Sequence, residues 1–177
     1  MAATFIVETG AVVANANSLC SVADADQINL DYENNADWIA AVQAIKERAL
    51  RLATRYLNLH YTWYGYKVHE DQTCQHPRYE LYDEDGNAID YDIVHQLVKE
   101  ACVHLAIRVI ADGDTLLEDF QNEQRVKKTK DVIGPITKER EYVDGGESPE
   151  KTYQLVDKLI APFIRDIGWS ETDIVRG

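Results

Sequence analysis

The sequence predicts a mainly α protein: a small helical bundle with an extended β-hairpin or loop and extended N- and C-terminal arms. Three observations predict it. Apolar residues at Trp38, Val42, Ile45, Ala49, Leu52 and Tyr56 advance in alternating steps of four and three, which is one continuous helix face. From Ile93 to Ile110 a wider apolar face keeps i, i+3, i+4 spacing, as a helix central to a core requires. Gly134-Pro135 separates Val132-Ile133 from Ile136, a turn signal between two extended runs.

The elements follow in order. Thr4 to Val13 is apolar and β-branched around Gly10, a short strand or an extended arm. Ser21, followed three residues later by Asp24, resembles a capping box with Asp in place of Glu. It starts a first helix that ends near Tyr32, before the polar turn Glu33-Asn34-Asn35. The striped segment predicts a second helix over Asp37–Leu59. Tyr61, Tyr64 and Tyr66, with Trp63 and Gly65, predict an aromatic cluster packed over a helix end. Glu70 to Asp90 has little periodicity and reads as a long ordered loop with a turn at Asp83 to Asn87. A third helix is expected over Tyr91–Asp112, with Asp90 as N-cap and Gly113 ending it. A short helix over Thr115–Glu123 is expected next, then the hairpin at about 125–144. Gly145-Gly146 is a flexible joint. Ser148-Pro149 opens a last helix carrying Tyr153, Val156, Leu159, Ile160, Phe163 and Ile167, which Pro162 should kink or restart. Residues 1–164 are read as one helical domain and 165–177 as a C-terminal arm.

Composition narrows the function. The chain has 177 residues, 45 % of them hydrophobic and 28 % charged, ordinary for a globular protein. No apolar run approaches the ~20 residues of a membrane span, and the first ten residues lack the pattern of a signal peptide. The expected site of synthesis is therefore a cytoplasm, with no membrane partner. Three widely spaced cysteines, Cys20, Cys74 and Cys102, fit neither a disulfide framework nor a four-cysteine zinc site. The net charge is -13, so the surface as a whole repels phosphates. Arg125, Lys127, Lys128, Lys130, Lys138 and Arg140, opposed only by Asp131 and Glu139, make one locally basic segment. It reads as a solvated hairpin or as an electrostatic contact with an acidic neighbour or DNA.

Patterns that would carry chemistry are incomplete. Asp83, Asp85 and Asn87 resemble the start of a calcium loop, but Gly86 falls fourth and Val94 stands where the bidentate Glu belongs. His60, His69, Cys74 and His76 lie close in sequence at no zinc-motif spacing. No phosphate-binding loop, nucleophile elbow or H-E-x-x-H is present. The expectation is a protein with no catalytic residue, metal or cofactor. Single-strand binding needs aromatics interleaved with basic residues. Here Lys67 alone accompanies the Tyr61–Tyr66 run, and Tyr142 alone the basic segment.

Several segments together resemble one tailed-bacteriophage family. They begin with Val7-Glu8-Thr9-Gly10, Ala16-Asn17-Ser18 and Ser21 to Asp26. A KE-x-AL-x-x-AT-x-YL helix follows from Lys46 to Leu57, then Tyr61, Trp63 and Gly65, then Gln72 and Pro77-Arg78. Tyr82-Asp83, Asp85-Gly86, the helix with Ala101, Leu105 and Ala106, Val132 to Pro135, and Val156 to Pro162 complete the likeness. It covers Val7 to about Ile164. His76 departs from a family Trp before Pro-Arg, and His95 from a Pro that opens the core helix. The family carries two descriptions: a head-to-tail connector adaptor, and a DnaT-like single-stranded DNA-binding protein.

The connector description implies a structural virion protein of the neck, assembled in the bacterial host cytoplasm. It would form a ring of itself, expected to be a dodecamer, bound to the portal protein and to a tail-side connector or tail completion protein. Genomic double-stranded DNA would pass through the lumen without sequence-specific binding. An acidic channel wall to which DNA does not adhere favours this description over a strand-holding protein. In it, the hairpin with Arg125, Lys127, Lys128, Lys130, Gly134, Pro135, Lys138 and Arg140 faces the lumen or a neighbouring ring. Trp169, Ile174 and Val175 dock the C-terminal arm on the portal.

Overall fold

The computed structural model describes residues 4–83, 85–113, 116 and 153–165, and the backbone of 128–133 and 136–141. The chain divides into two compact units, one of Met1–Leu116 with Tyr153–Gly177, the other of Leu117–Thr152. The first is mainly helical, as expected. Its elements are α1 (Val22–Ile28), a π turn (Asn29–Glu33), α2 (Ala36–Ala40), α3 (Gln43–His60), β1 (Tyr66–Lys67), β2 (Arg78–Tyr79), α4 (Gln96–Ala111) and α5 (Gln154–Ile160), closed by a 3-10 turn (Ala161–Phe163). The second unit holds an antiparallel hairpin, β3 (Lys128–Ile133) and β4 (Ile136–Glu141).

The cap of α1 forms as its sequence predicts: the Ser21 hydroxyl accepts from the Asp24 amide at 3.0 Å. The expected second helix does not run unbroken. Ala41 and Val42 are extended (ψ 137° and 153°), so α2 ends at Ala40 and α3 restarts at Gln43. The break lets two demands be met at once. Trp38 is fully buried, and its indole N–H donates to Asp26 at 2.9 Å. Beyond the break, α3 turns Ala49, Leu50, Ala53, Thr54 and Leu57 inward. These include small residues, which allow close approach to α4; Thr54 Oγ1 lies 3.5 Å from Cys102 Sγ. Val42 and Ile45, expected in the buried stripe, are exposed.

The third helix also starts later than predicted. Its N-cap is His95, whose Nδ1 accepts from the Leu97 amide at 3.2 Å, not Asp90. Backbone packing explains the delay. Gly10, at φ +105°, lies so close to the Asp92 carbonyl that a Cβ there would sit 1.9 Å from its oxygen. That close approach engages the backbone of Asp92 and Ile93 ahead of α4. From Val98 to Ile107 the helix is buried almost all round, matching its wide apolar face.

Thr4 to Val13, expected as a strand or arm, is a closed loop instead. Val7 makes one parallel bridge to Ser18. Buried Glu8 accepts from the Gly10 and Val13 amides, both at 2.9 Å, so its charge is compensated by backbone donors. The last helix is shorter than predicted. It passes through the 3-10 turn at Pro162 and is extended by Ile164 (ψ 144°) rather than reaching Ile167, because Pro162 cannot continue an α-helical ladder. The expected short helix at Thr115–Glu123 and the start at Ser148-Pro149 lie outside the described residues.

Candidate nucleic-acid interface

The aromatic run at Tyr61 splits into two sets. Tyr61 and Trp63 are buried. The Tyr61 hydroxyl donates to Asp157 at 2.6 Å, and the Trp63 indole donates to the Leu57 carbonyl at 3.2 Å. Burial, then the Asp157 contact, pushes the Tyr61 hydroxyl well above the usual phenol range. Tyr64 and Tyr66 face outward instead. The segment is flanked on both sides. Tyr64 N–H donates to the Phe163 carbonyl and Arg165 N–H to Thr62, both at 2.8 Å. On the other side Tyr66 opposes Tyr79 and Lys67 opposes Arg78.

Two residues fix this wall. Gly65, at φ +65°, passes so near β2 that a Cβ would lie 1.9 Å from the Tyr79 carbonyl oxygen. Arg78 is largely buried, and its guanidinium donates to the Tyr64 carbonyl at 2.6 Å, to Gly65 at 2.8 Å and to both the carbonyl and side chain of Gln75. Behind the wall His76 is enclosed between Trp63 and Phe163, with ring centroids 4.5 and 6.2 Å away. Burial lowers its pKa to about 3, with the Arg78 charge adding to the effect. His76 is therefore a neutral packing residue at pH 7.

In front of the wall lies a cleft of about 410 Å³ lined by Tyr64, Gly65, Tyr66, Glu80, Leu81, Tyr82, Pro162 and Arg165. Tyr66 is 63 % and Tyr82 55 % exposed, so either ring can be covered by a ligand. The aromatic surface continues past the cleft. Tyr79 opposes Tyr66 in the β1–β2 pair, and its ring centroid lies 4.6 Å from that of Tyr91. Three exposed tyrosines, Tyr64, Tyr66 and Tyr82, thus line the cleft with one guanidinium, that of Arg165, and one carboxylate, that of Glu80, and exposed Tyr79 and Tyr91 extend the aromatic surface from Tyr66. The arrangement offers exposed ring faces beside one lining cation and one lining anion.

The residues singled out by sequence fare differently. The β3–β4 register places Lys128 opposite Glu141, Lys130 opposite Glu139, and Lys138 opposite Asp131, leaving Arg140 opposite Thr129. Three of these four basic positions therefore stand opposite acidic ones in the register. Arg125, Lys127, Gly134 and Pro135 lie outside the described residues, as do Trp169, Ile174 and Val175. The four residues weighed for zinc separate: His60 stacks on Tyr56, His69 is exposed, and Cys74 and His76 are buried. Among the described residues no group of three His, Cys, Asp or Glu is placed to hold a metal. Asp83 accepts from the Asp85 and Asn87 amides, an Asx-type turn. Tyr79, Tyr82, Tyr91 and Arg165 were missed as site residues, since nothing local links them to Tyr64 and Tyr66.

Among known proteins, the chain matches over residues 3–177 the family model described as "Putative DnaT-like ssDNA binding protein". No curated protein matches it, and no solved structure does. The family match overturns the expectation of a structural virion protein, a head-to-tail adaptor ringed beneath a portal, for which nothing speaks. The physical error lay in reading function from net charge. A total of -13 is a sum over the whole surface, whereas stacking acts over a few ångströms and depends on which rings are exposed. The chain belongs to the family so described, "Putative DnaT-like ssDNA binding protein".

Proposed function

We propose that this protein binds single-stranded DNA by stacking bases on the tyrosines of the β1–β2 cleft. The observation that carries the reading is the convergence of exposed Tyr64, Tyr66 and Tyr82 on one cleft with Arg165, extended from Tyr66 by Tyr79 and Tyr91. Exposed rings of this kind suit unpaired bases, whose faces are free; in a duplex those faces are already stacked. Base-on-aromatic stacking contributes about 1–3 kcal/mol per base and tolerates any sequence. The rest of the acidic surface repels the backbone, which keeps affinity modest and the salt dependence shallow. The activity is binding, with no chemical step.

The direct test is fluorescence anisotropy with labelled oligothymidylate and with a duplex of equal length. The reading expects retention of the single strand, little retention of the duplex, and loss of single-strand binding in the Tyr66→Ala/Tyr82→Ala double variant. Equal binding of strand and duplex, or wild-type affinity in that variant, would sink it.

A further inference from the structure

The tyrosines account for bases and leave the charged groups of the cleft unexplained. Arg165 is exposed, lines the cleft beside Tyr64 and Tyr66, and makes no ion pair among the described residues. Its position is fixed by backbone: the Arg165 N–H is bonded to Thr62, and the neighbouring Ile164 bridges Trp63. The cation therefore sits at the edge of an extended pair rather than on a free loop. Arg78 adds a second positive charge behind the same wall. Its four hydrogen bonds go to three carbonyls and one side-chain amide, none of which neutralises it. The two guanidiniums sense each other: after burial, Arg165 is the next cause lowering the Arg78 pKa. Two cations that repel across a wall, with no carboxylate paired to either among the described residues, gain when an anion arrives between aromatic faces.

Building on the single-strand reading, we propose that Arg165 is a phosphodiester subsite of the cleft. It contacts the backbone phosphate that joins two bases stacked on the flanking tyrosines. The cleft's volume is in the range of sites that take one small ligand, which suits one phosphate and its neighbouring bases. Glu80 lines the same cleft. It opposes a second phosphate and limits the subsite to one. Arg78 touches no ligand in this scheme; it positions the wall and adds to the field.

The experiment uses the full chain, oligothymidylate of fixed length, and affinities measured over a series of salt concentrations. One phosphate contact on a single strand contributes a slope of about -0.7 in log K against log salt. Arg165→Ala should lose that increment, making the slope about 0.7 shallower, and Arg165→Lys should keep it. Tyr66→Ala should weaken binding with the slope unchanged. An abasic phosphodiester oligomer should bind weakly to the wild type and more weakly still to Arg165→Ala. Thermal melts of the three variants check that each is folded. Wild-type slope and wild-type abasic binding in Arg165→Ala, with oligothymidylate still held, would overturn the phosphate subsite and leave the stacking reading standing. Failure of the unmodified chain to bind any oligonucleotide would overturn the stacking reading itself, and the subsite with it.

Discussion

The β1–β2 cleft and the β3–β4 hairpin are both small antiparallel pairs, yet they offer opposite chemistry. The hairpin carries four basic positions within 128–141, but its register sets three of them opposite acids. The cleft is lined by one cation and one anion, and is rich in exposed rings. Charge concentrated along a chain is thus not uniform across the folded pair, because the register sets basic positions opposite acidic ones. Rings scattered along a chain can still form one continuous surface when strands and turns gather them. Under the proposed function, a polyanion with free base faces is held more by the second arrangement than by the first.

The sharpest way to break this comparison is to remove rings on one side and charges on the other. Tyr66→Ala/Tyr82→Ala should lower single-strand affinity by about 2–6 kcal/mol, two stacked bases at the usual contribution. Lys128→Ala/Lys130→Ala should change it less than about threefold, as expected of exposed charges. Anisotropy titrations of both variants decide it, and the reverse ranking would make the hairpin the main contact for the strand. Next in size is the wall itself. Gly65→Ala combines a left-handed backbone with a clash against the Tyr79 carbonyl. It should cost roughly 3 kcal/mol or more of stability in urea unfolding.

Acid tests the packing behind the cleft. His76 has a folded pKa of about 3, below its ordinary 6.5. Between those values the unfolded chain binds a proton that the folded chain refuses. Stability should therefore fall as pH drops below about 6.5, by at most roughly 1.4 kcal/mol per pH unit from this residue. His76→Phe should flatten that slope between pH 6.5 and 4 in urea midpoints, and an equally steep variant would assign the acid sensitivity elsewhere. The smallest expected effect is Glu80→Gln. Removing the cleft's carboxylate should strengthen single-strand binding about two- to fourfold at low salt, with the gain shrinking as salt rises. Unchanged affinity would place Glu80 outside the path of the strand.

Much of this was legible in advance, for reasons that differ by element. The Ser21 cap depends on residues three apart and forms as written. The wide apolar face of α4 survives because a helix that is apolar most of the way round is buried whichever way it turns. The stripe misses at Val42 and Ile45 because periodicity assumes an unbroken helix. With the break after Ala40, Val42 and Ile45 turn outward, whereas Trp38, Ala49 and Tyr56 of the same stripe are buried, and Leu50 and Ala53 join them inside. The Asp90 cap failed for a non-local reason, the approach of Gly10 to Asp92. Tyr64 and Tyr66 could be read as an aromatic cluster. Their partners Tyr79, Tyr82, Tyr91 and Arg165 could not, because sequence distance carries no trace of a cross-strand pair or of a chain end returning to it.

By itself, then, the sequence determined the helical class, the capped start of α1, the burial of α4, and a family likeness resting on motifs spread from Val7 to Ile164. Each depends on interactions within a few residues or on composition. Tertiary structure alone decided which tyrosines face water, which basic positions of the hairpin stand opposite acidic ones, and that Arg165 lines a cleft with exposed rings. Those outcomes depend on strand register, on two glycine close approaches and on the Arg78 hydrogen bonds. Each joins residues distant in the chain, and the energy of a contact depends on separation in space.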